Sequence, residues 1–595
     1  YSFETLEEAV EFAKEGDVIT LLRDIEQEDG VLITDKNITI DLNNKSFTVS
    51  EGASTNNRNF KINGESVVTI KNGTLVAEGE LTSGAYGTIR TEDTATVTLN
   101  DVELYSYRGY GLNVKALDGT KVTINDSEIY SQYSGGVEAA GGEIVLSNVT
   151  IDQNGVYSGA AWCSVAIGVN GGGKVVVNSG TYSAETIAED ANAAQGTWVA
   201  YVMSSGGTLE INGGTFTGGD SATASAANAC GIICADRAAV VNIYGGTFNA
   251  QRAILDMRNN VGTLPNPIAT LYDGDFSHNP TVSGLYSSNL INVAEGKVAV
   301  QQANGRWTLV DGVATAEALA EAVAAGGNVV LGADITVDET VIIPEGKTVI
   351  LNMNGKTLSA ADEANTYALN NHGTLTITGN GVVNARGIYN GYSSVDDNHN
   401  SSAKLIIENG TFNAKGTNGG ACIFNYGIVE VNGGQFTSIG GYSLNNQNGS
   451  SMTIMDATVT GGIYNLGDTL TINGGKITTT RGGYTHAIYH DGGVLTVNNG
   501  EFEGNGNEVI NANSCVANIN GGSFKKVDKT SYLLAGSKMT INDGTFVAHE
   551  SNPAAHPVRP DVIVKGGTFN YKHTNIADGY KIIDNGDGTW SVVAE

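Results

Sequence analysis

A short phrase, INGGTF at 211–216, recurs along the chain and constrains the fold more than any other feature. Close copies are VNGGQF at 431–436, INGGKI at 472–477, INGGSF at 519–524 and INDGTF at 541–546. Seventeen eight-residue windows align on it, beginning at residues 68, 97, 122, 144, 175, 209, 241, 269, 375, 405, 429, 452, 470, 495, 517, 539 and 562. A self-similar period of roughly two dozen residues is typical of solenoids and other repeat proteins.

The columns of this alignment predict local structure. Window positions one and three are apolar in nearly every copy, which indicates a short strand with one buried face. Position eight is always apolar and holds nine of the 14 phenylalanines: Phe216, Phe248, Phe276, Phe412, Phe436, Phe502, Phe524, Phe546 and Phe569. Glycine is common at position six and asparagine at position four, and both tolerate left-handed backbone angles. Each window therefore predicts a strand, a sharp bend and a second strand that opens on Phe.

A further strand-like phrase often precedes the window, as in CIFNYG at 422–427, GIYNLG at 462–467 and AIYHDGG at 487–493. Two or three short strands per repeat, with no helix between them, predict an all-β parallel β-helix whose coils stack about 4.8 Å apart. The pattern resembles the right-handed parallel β-helix of the pectin-lyase-like class, and in particular repeat regions of large secreted or surface proteins of Gram-positive bacteria. The resemblance implies an extracellular or cell-surface location, and it says little about activity because this scaffold carries many functions.

Matching signals at two places predict two domains. SFETLEEAVEFAKEG at 2–16 and TAEALAEAVAAGG at 315–327 each have the spacing of a short amphipathic helix, with Ser2 and Thr315 as candidate N-caps. NGRWTLVDG at 304–312 and DGTWSVV at 587–593 end the two halves alike. We expect tandem β-helices at 1–312 and 313–595, each with an N-terminal capping helix and a C-terminal Trp hairpin that cover the open sheet edges.

Composition limits the partners. The chain has 32 basic and 63 acidic residues, a net charge of −31, which argues against binding nucleic acid or anionic membranes. No apolar run is long enough to span a membrane. No signal-peptide pattern follows residue 1, so we expect a mature or trimmed form of a longer protein. No metal-ligand spacing or cofactor motif stands out, and we expect neither a metal nor a cofactor.

Two sets of residues are candidates for chemistry. In the β-helix lyases that this pattern resembles, carboxylates hold a calcium ion that acidifies the acidic polysaccharide, and an Arg or Lys takes the proton. A row of charged residues could stack into a comparable face: Arg90, Lys115, Glu138, Asp236, Arg237, Asp256 and Arg258. The other reading of this row is a solvated, ion-paired surface. His486, His490 and Asp491 in THAIYHDGG could act in catalysis or bind a metal, but His490 aligns with Asn425 and Asn465, which favours membership of a polar ladder.

Aromatic residues give a better candidate for recognition. A stripe of them falls in equivalent connections of adjacent coils in the first half: Tyr105, Tyr107, Tyr110, Tyr130, Tyr133, Tyr157 and Trp162. The second half has a weaker set of Tyr442, Tyr464, Tyr484 and Tyr489. Exposed aromatic stripes suit sugar faces or a protein partner, whereas packing beneath loops is the alternative.

The sequence favours a non-enzymatic, adhesin-like or stalk protein that binds a glycan or a protein of a host or neighbouring cell. A polysaccharide lyase or glycoside hydrolase that uses the charged row is the main alternative, and a structural subunit of a surface array or filament is the second. Because the INGGTF phrase recurs throughout, it is scaffold. Function is expected where the copies differ.

Overall fold

The computed structural model divides the chain into two compact units, Tyr1–Val310 and Asp311–Glu595. It describes residues 1–50, 58–78, 88–106, 114–131, 135–157, 165–188, 198–203, 205–218, 231–258, 264–286, 288–393, 399–479, 486–513, 515–528, 531–549, 551, 553 and 557–595. Within these residues the structure is almost entirely β, with α-helices at Leu6–Phe12 and Ala316–Ala325 and a 3-10 helix at Ser288–Leu290. The predicted all-β class is confirmed.

Each repeat window folds as a strand, a bend and a second strand, as its columns predict. In the copy at 209–216, the strand Gly207–Ile211 ends at the bend and Thr215–Gly218 follows it. Gly214 lies in the bend with a φ of 104°, a left-handed angle that glycine adopts without steric cost. Phe216 opens the second strand and is fully buried.

The asparagine at window position four does not have the left-handed backbone expected for it, and that expectation is wrong. The left-handed residue is at position five in some early windows, for example Asp101 and Asp126, and at the position-six glycine in others, for example Gly214. The position-four side chains instead bond to their copies in the next coil. Asn498 donates to the Oδ1 atom of Asn473 over 2.8 Å and accepts from Asn520 over 2.9 Å. The sequence column therefore reflects an exposed amide ladder.

Parallel pairing stacks the strands of the first unit in three rows. In the first row lie Val18–Thr20, Asn37–Val49, Val67–Ala77, Thr96–Ser106, Lys121–Asn125, Glu143–Ser147, Lys174–Val177, Gly207–Ile211, Ala239–Ile243, Ile268–Leu271 and Ile291–Val293. Three of these long strands continue round the bend into the second row, which adds Ile25–Gln27, Glu128–Ser131, Val149–Tyr157, Gly180–Ala188, Thr215–Gly218, Thr247–Ala250 and Asp275–Phe276. The third row holds Val31–Thr34, Phe60–Asn63, Ile89–Thr91, Val114–Leu117, Val137–Ala140, Ile167–Asn170, Ala200–Val202, Ile233–Ala235, Leu255–Met257 and Ser283–Tyr286.

The second unit repeats this plan with three separate sheets. Its first row holds Gly327–Val330, Thr348–Asn352, Thr374–Thr378, Lys404–Ile407, Ile428–Val431, Ser451–Ile454, Thr469–Ile472, Val494–Val497, Val516–Ile519, Lys538–Ile541 and Ile563–Val564. Its second row holds Ile335–Val337, Thr357–Ala360, Val382–Ala385, Thr411–Ala414, Gln435–Ser438, Thr458–Thr460, Lys476–Thr478, Glu501–Gly504, Ser523–Lys526, Thr545–Val547 and Gly567–Phe569. Its third row holds Val341–Ile343, Leu369–Asn371, Ile388–Asn390, Ile423–Asn425, Leu444–Asn446, Ile463–Asn465, Ile488–His490, Ile510–Asn511 and Leu534–Ala535.

The register of these rows places like residues on top of one another in the core. Phe502, Phe524 and Phe546 pair in register, and neighbouring rings stack with centroids 4.8 and 5.0 Å apart. Phe216 and Phe248 do the same in the first unit, at 5.0 Å. This spacing is close to the separation of neighbouring strands, so consecutive phenylalanines of the column form buried stacks. In the second unit, Val459 and Ile477 separate two such stacks.

The first coil of each unit carries its helix, and the last coil pairs with an antiparallel strand. The first helix is capped by Thr5 and not by the expected Ser2, because Glu8 completes a capping box with Thr5. Thr315 caps the second helix as predicted. Trp307 in Trp307–Asp311 lies opposite Phe276, and that strand is preceded by Lys297–Gln301. In the second unit, Trp590–Ala594 pairs with Gly567–Phe569 and with Tyr580–Asp584.

Candidate functional site

The third row of the second unit carries an outward column of aromatic side chains. Strand alternation turns the middle residue of each short strand outward, between two buried neighbours. Tyr389 and Phe424 occupy this position in successive coils, and Tyr464 and Tyr489 do so further along. The residue that follows Tyr489 in register is Asn511, where the aromatic column ends.

An open groove with a volume of about 530 Å³ lies where this column ends. We call it the tyrosine groove, and it is lined by Tyr442, Tyr464, His486, Tyr489, Asn507, Glu508 and Asn511. The rings of Tyr464 and Tyr489 stack almost parallel, at 5° and with centroids 5.3 Å apart. Tyr442 packs on Tyr464 at 5.4 Å. The groove therefore combines a rigid aromatic wall with amide and carboxylate groups.

The polar wall of the groove is held by hydrogen bonds around Glu508. His486 is buried, with its Nε2 atom 3.1 Å from the Oε2 atom of Glu508 and its Nδ1 atom 3.2 Å from the Tyr442 hydroxyl. Ser531 and Asn511 also donate to the Glu508 carboxylate. Burial alone would raise the pKa of Glu508, but the hydrogen bonds from His486 and Ser531 outweigh it and lower the pKa to about 2. Glu508 is therefore ionised at neutral pH, and it faces the groove with a side-chain exposure of 14%.

A buried lysine behind the groove positions its polar residues. Lys526 is 2% exposed, and its Nζ atom donates to the carbonyl oxygens of Gly506, over 2.6 Å, and of Asn507. Asp528 pairs with the same ammonium group. These bonds fix the turn that carries Asn507 and Glu508 into the groove. The sequence prediction missed Lys526, although it occupies an inward position of its strand, in register with Gly504, where a lysine is unusual.

Beneath the aromatic column runs a buried amide ladder, and the assignment of His490 to it is confirmed. Its members are fully buried: Asn371, Asn390, Asn425, Asn446, Asn465 and His490. Each asparagine amide bonds to the next member over 2.6–2.8 Å. His490 accepts from Asn465 at Nδ1, so its Nε2 atom donates to the carbonyl oxygen of Val516. Burial lowers the pKa of His490, which therefore stays neutral.

The structure describes only part of the tyrosine stripe predicted in the first half. Tyr105 and Tyr130 pair in register, half-buried, with ring centroids 6.0 Å apart. Tyr157 lies at the end of its strand in register with Ala188, and its side chain is outside the described set. Tyr107, Tyr110, Tyr133 and Trp162 lie outside the described residues, as does Tyr484 of the second-half set. The stripe therefore stays a prediction.

The first part of the predicted charged row does stack in register. Arg90, Lys115 and Glu138 occupy the outward position of three successive third-row strands. Lys115 forms an ion pair with Glu138 over 2.9 Å, and Arg90 pairs with Glu92. Glu138 is only 4% exposed. These charges neutralise one another along the sheet surface.

The remaining residues of the row form a second, separate group. Asp236 and Arg237 follow the third-row strand three coils beyond Glu138, which places them about 14 Å further along the sheet. Asp256 is fully buried, and it accepts hydrogen bonds from the Trp198 indole and the Gly231 backbone over 2.7 and 2.6 Å. Burial raises the pKa of Asp256.

The other members of the second group pack around these carboxylates. The guanidinium of Arg258 lies over the Trp198 ring at 5.3 Å, and the Tyr201 hydroxyl donates to Asp236 over 3.2 Å. Arg237 pairs with Asp236 over 3.7 Å. The two groups thus do not converge on one cleft. In the part of the chain that the structure describes, no cluster of three or more His, Cys, Asp or Glu side chains could hold a metal ion.

Among the described residues, neither helix has the length and apolar character needed to cross a membrane. In comparisons with known proteins, no protein-family model matches this chain, and no curated protein is similar enough to count as a relative.

Proposed function

We propose that this chain is a bacterial, extracellular surface solenoid of the adhesin type, and that its second unit binds a glycan in the tyrosine groove. The observation that carries the proposal is the end of the Tyr464–Tyr489 stack beside Asn507, Glu508 and Asn511. Small-ligand sites are usually lined by flat aromatic faces and a few polar groups in fixed positions. The surrounding strands and the buried amide ladder keep these groups in place without a ligand, which lowers the entropic cost of binding.

The chemistry of the groove favours binding over catalysis. A glycoside hydrolase needs two carboxyl groups that flank the scissile bond, one of them protonated to act as an acid. Glu508 is the sole carboxylate among the described residues that line the groove, and its low pKa keeps it ionised. Three donors already hold it, so it is suited to orienting a ligand and poorly suited to transferring a proton.

The proposal is tested with Tyr489→Ala in the full chain. We expect the substitution to weaken binding to the best ligand of a glycan array by about fivefold or more, because one ring face is worth about 1 kcal/mol or more. Tyr244→Ala is the matched control. Tyr244 also stacks on a tyrosine of the neighbouring coil, Tyr272 at 4.4 Å, but it lies in the first unit and outside the groove.

Binding is measured by biolayer interferometry, and circular dichroism checks that each variant is folded. Equal affinity of Tyr489→Ala and Tyr244→Ala would contradict the proposed site. Loss of binding in Tyr105→Ala and Tyr130→Ala, with Tyr489→Ala unaffected, would place the glycan on the first unit. A blank array would refute glycan binding itself.

A further inference from the structure

The tyrosine groove has an anionic and aromatic character that discriminates among sugars. The Tyr464 and Tyr489 rings are parallel within 5°, and the register position after Tyr489 holds the smaller Asn511. The stack is therefore interrupted at the groove, where the next flat group would be a ligand. A tyrosine face carries a negative quadrupole, so it attracts a cation placed within about 6 Å of its centre.

The charge of the groove is negative, so it attracts cations as the tyrosine faces do. Glu508 accepts from His486, Ser531 and Asn511, and an ionised carboxylate offers about four acceptor positions, which leaves capacity for a ligand donor. No lysine or arginine is among the described residues that line the groove. The nearest buried cation, Lys526, lies behind the 506–507 turn and is paired with Asp528. The whole chain carries a net charge of −31, which concentrates cations near its surface.

A sugar with a carboxylate or sulfate group would be repelled by Glu508 and by the tyrosine faces. A neutral sugar, such as one with an N-acetylated amine, would gain the stacking contact and ordinary hydroxyl hydrogen bonds to Glu508, without an ionic attraction. A free ammonium group would gain both the cation–π contact and a charge-assisted hydrogen bond to Glu508. We infer that the tyrosine groove selects glycans that carry a protonated amine, that is, de-N-acetylated amino sugars. The inference rests on the proposed glycan binding and names the class of ligand.

The test compares two hexasaccharides of the same backbone, β-1,4-linked glucosamine and β-1,4-linked N-acetylglucosamine, with the amines protonated. Isothermal titration calorimetry of the full chain should show about tenfold or tighter binding of the amine form. Raising the salt concentration should weaken binding of the amine form and leave the acetylated form unchanged, because only the former depends on charge.

Two variants trace the preference to the groove. Glu508→Gln should remove most of the preference, whereas Glu501→Gln should keep it, because Glu501 lies in the second row and pairs with Lys476. If Glu508→Gln fails to fold, Asn507→Lys serves in its place. It adds a cation on a half-exposed turn residue of the groove, and it should abolish the preference.

The outcomes separate the two proposals. Equal binding of both hexasaccharides, without salt dependence, would overturn the amine preference and leave glycan binding intact. A preference that persists in Glu508→Gln would also overturn it, because the charge would then come from elsewhere. Failure of both hexasaccharides, together with a blank glycan array, would refute the proposed function itself.

Discussion

The buried amide ladder should be a main source of stability in the second unit, and Asn425→Ala tests this. Asn425 is fully buried, and its Oδ1 atom accepts from Asn390 over 2.8 Å and from the Gly427 N–H over 2.9 Å. Its Nδ2 group donates to Asn446 over 2.7 Å. The substitution thus removes two amide–amide bonds, the acceptor of a buried backbone N–H, and a donor to the carbonyl oxygens of Gly427 and Ser451.

The magnitude follows from what each partner retains. Asn390 still donates to the carbonyl oxygens of Ala403 and Ile428, and Asn446 still accepts from Ser450. Each lost amide–amide bond then costs about 1 kcal/mol, and the orphaned Gly427 N–H costs about 1–3 kcal/mol. We expect a loss of about 3–5 kcal/mol in local stability.

The matched control is Asn498→Ala in the exposed ladder. Asn498 makes the same two amide–amide bonds, to Asn473 and Asn520, but it is exposed to solvent. Water replaces the lost bonds there, so we expect a change within about 0.5 kcal/mol. The comparison keeps residue type and ladder geometry constant and varies burial.

Hydrogen–deuterium exchange is the suitable assay, because a solenoid opens locally and a single unfolding free energy is not defined for it. In Asn425→Ala, exchange in Ile423–Asn425 and Leu444–Asn446 should accelerate roughly a hundredfold or more. Asn498→Ala should leave its own coil nearly unchanged. If the two substitutions accelerate exchange equally, burial of the ladder is not what stabilises the third row.

Three further predictions concern neighbouring features. Burial lowers the pKa of His490 below 6.5, so below about pH 6.5 the unfolded chain takes up a proton that the folded chain does not. Stability should therefore fall as the pH drops below about 6.5, by at most about 1.4 kcal/mol per pH unit. His490→Asn should remove this part of the pH dependence, read from the local opening free energy that hydrogen exchange gives for Ile488–His490 between pH 7 and pH 5. Phe524→Ala removes a fully buried ring from the stack and should lower the local free energy of opening by about 3–5 kcal/mol, measured by hydrogen exchange. Tyr532→Ala, at an exposed site, should change it little. Lys526→Met should loosen the 506–507 turn and leave the stacked tyrosines in place. Calorimetry should then show severalfold weaker binding of the glucosamine hexasaccharide. Unchanged affinity would show that Lys526 does not position the residues of the groove.

The fold could be predicted because the same pattern of apolar residues recurs in every coil. The apolar residues at positions one, three and eight of each window must all face one side, and parallel register then stacks Phe502 on Phe524 and Phe524 on Phe546. A single sequence supplies this evidence many times over. The third row could be recognised in the same way, and aligning His490 with Asn465 was enough to place it in the amide ladder.

The predictions that failed involve residues with two physical roles. Asparagine both tolerates left-handed angles and forms amide ladders, and composition alone does not distinguish these roles. At position four the ladder is the correct one, as Asn498 shows. Ser2 and Thr5 are both good N-caps, and the choice depends on which has a glutamate three residues later. Glu8 decides in favour of Thr5.

Only the tyrosines of the groove could be predicted from the sequence. Tyr464 and Tyr489 belong to a repeating column, so their alignment could be read directly. Glu508 belongs to no column, and Lys526 departs from the small residue of its own. Glu508 reaches the groove because the turn at 506–507 is held by the inward Lys526. Contacts of this kind depend on the path of one connection, which periodicity does not encode.

The position of the groove nevertheless follows a rule that the repeats themselves supply. In a solenoid every residue that continues a column is explained by stacking, so a residue that breaks a column calls for another explanation. Three residues interrupt columns in neighbouring coils. His490 ends the buried run of asparagines, and Asn511 ends the run of tyrosines. Lys526 replaces a small inward residue, which is Gly504 in the preceding coil. Asn511 lines the tyrosine groove, Lys526 bonds to the turn that carries Asn507 and Glu508 into it, and His490 adjoins the groove residue Tyr489 in the chain. We therefore expect column breaks that cluster in neighbouring coils to mark candidate sites in solenoids, whereas an isolated break needs only local repacking.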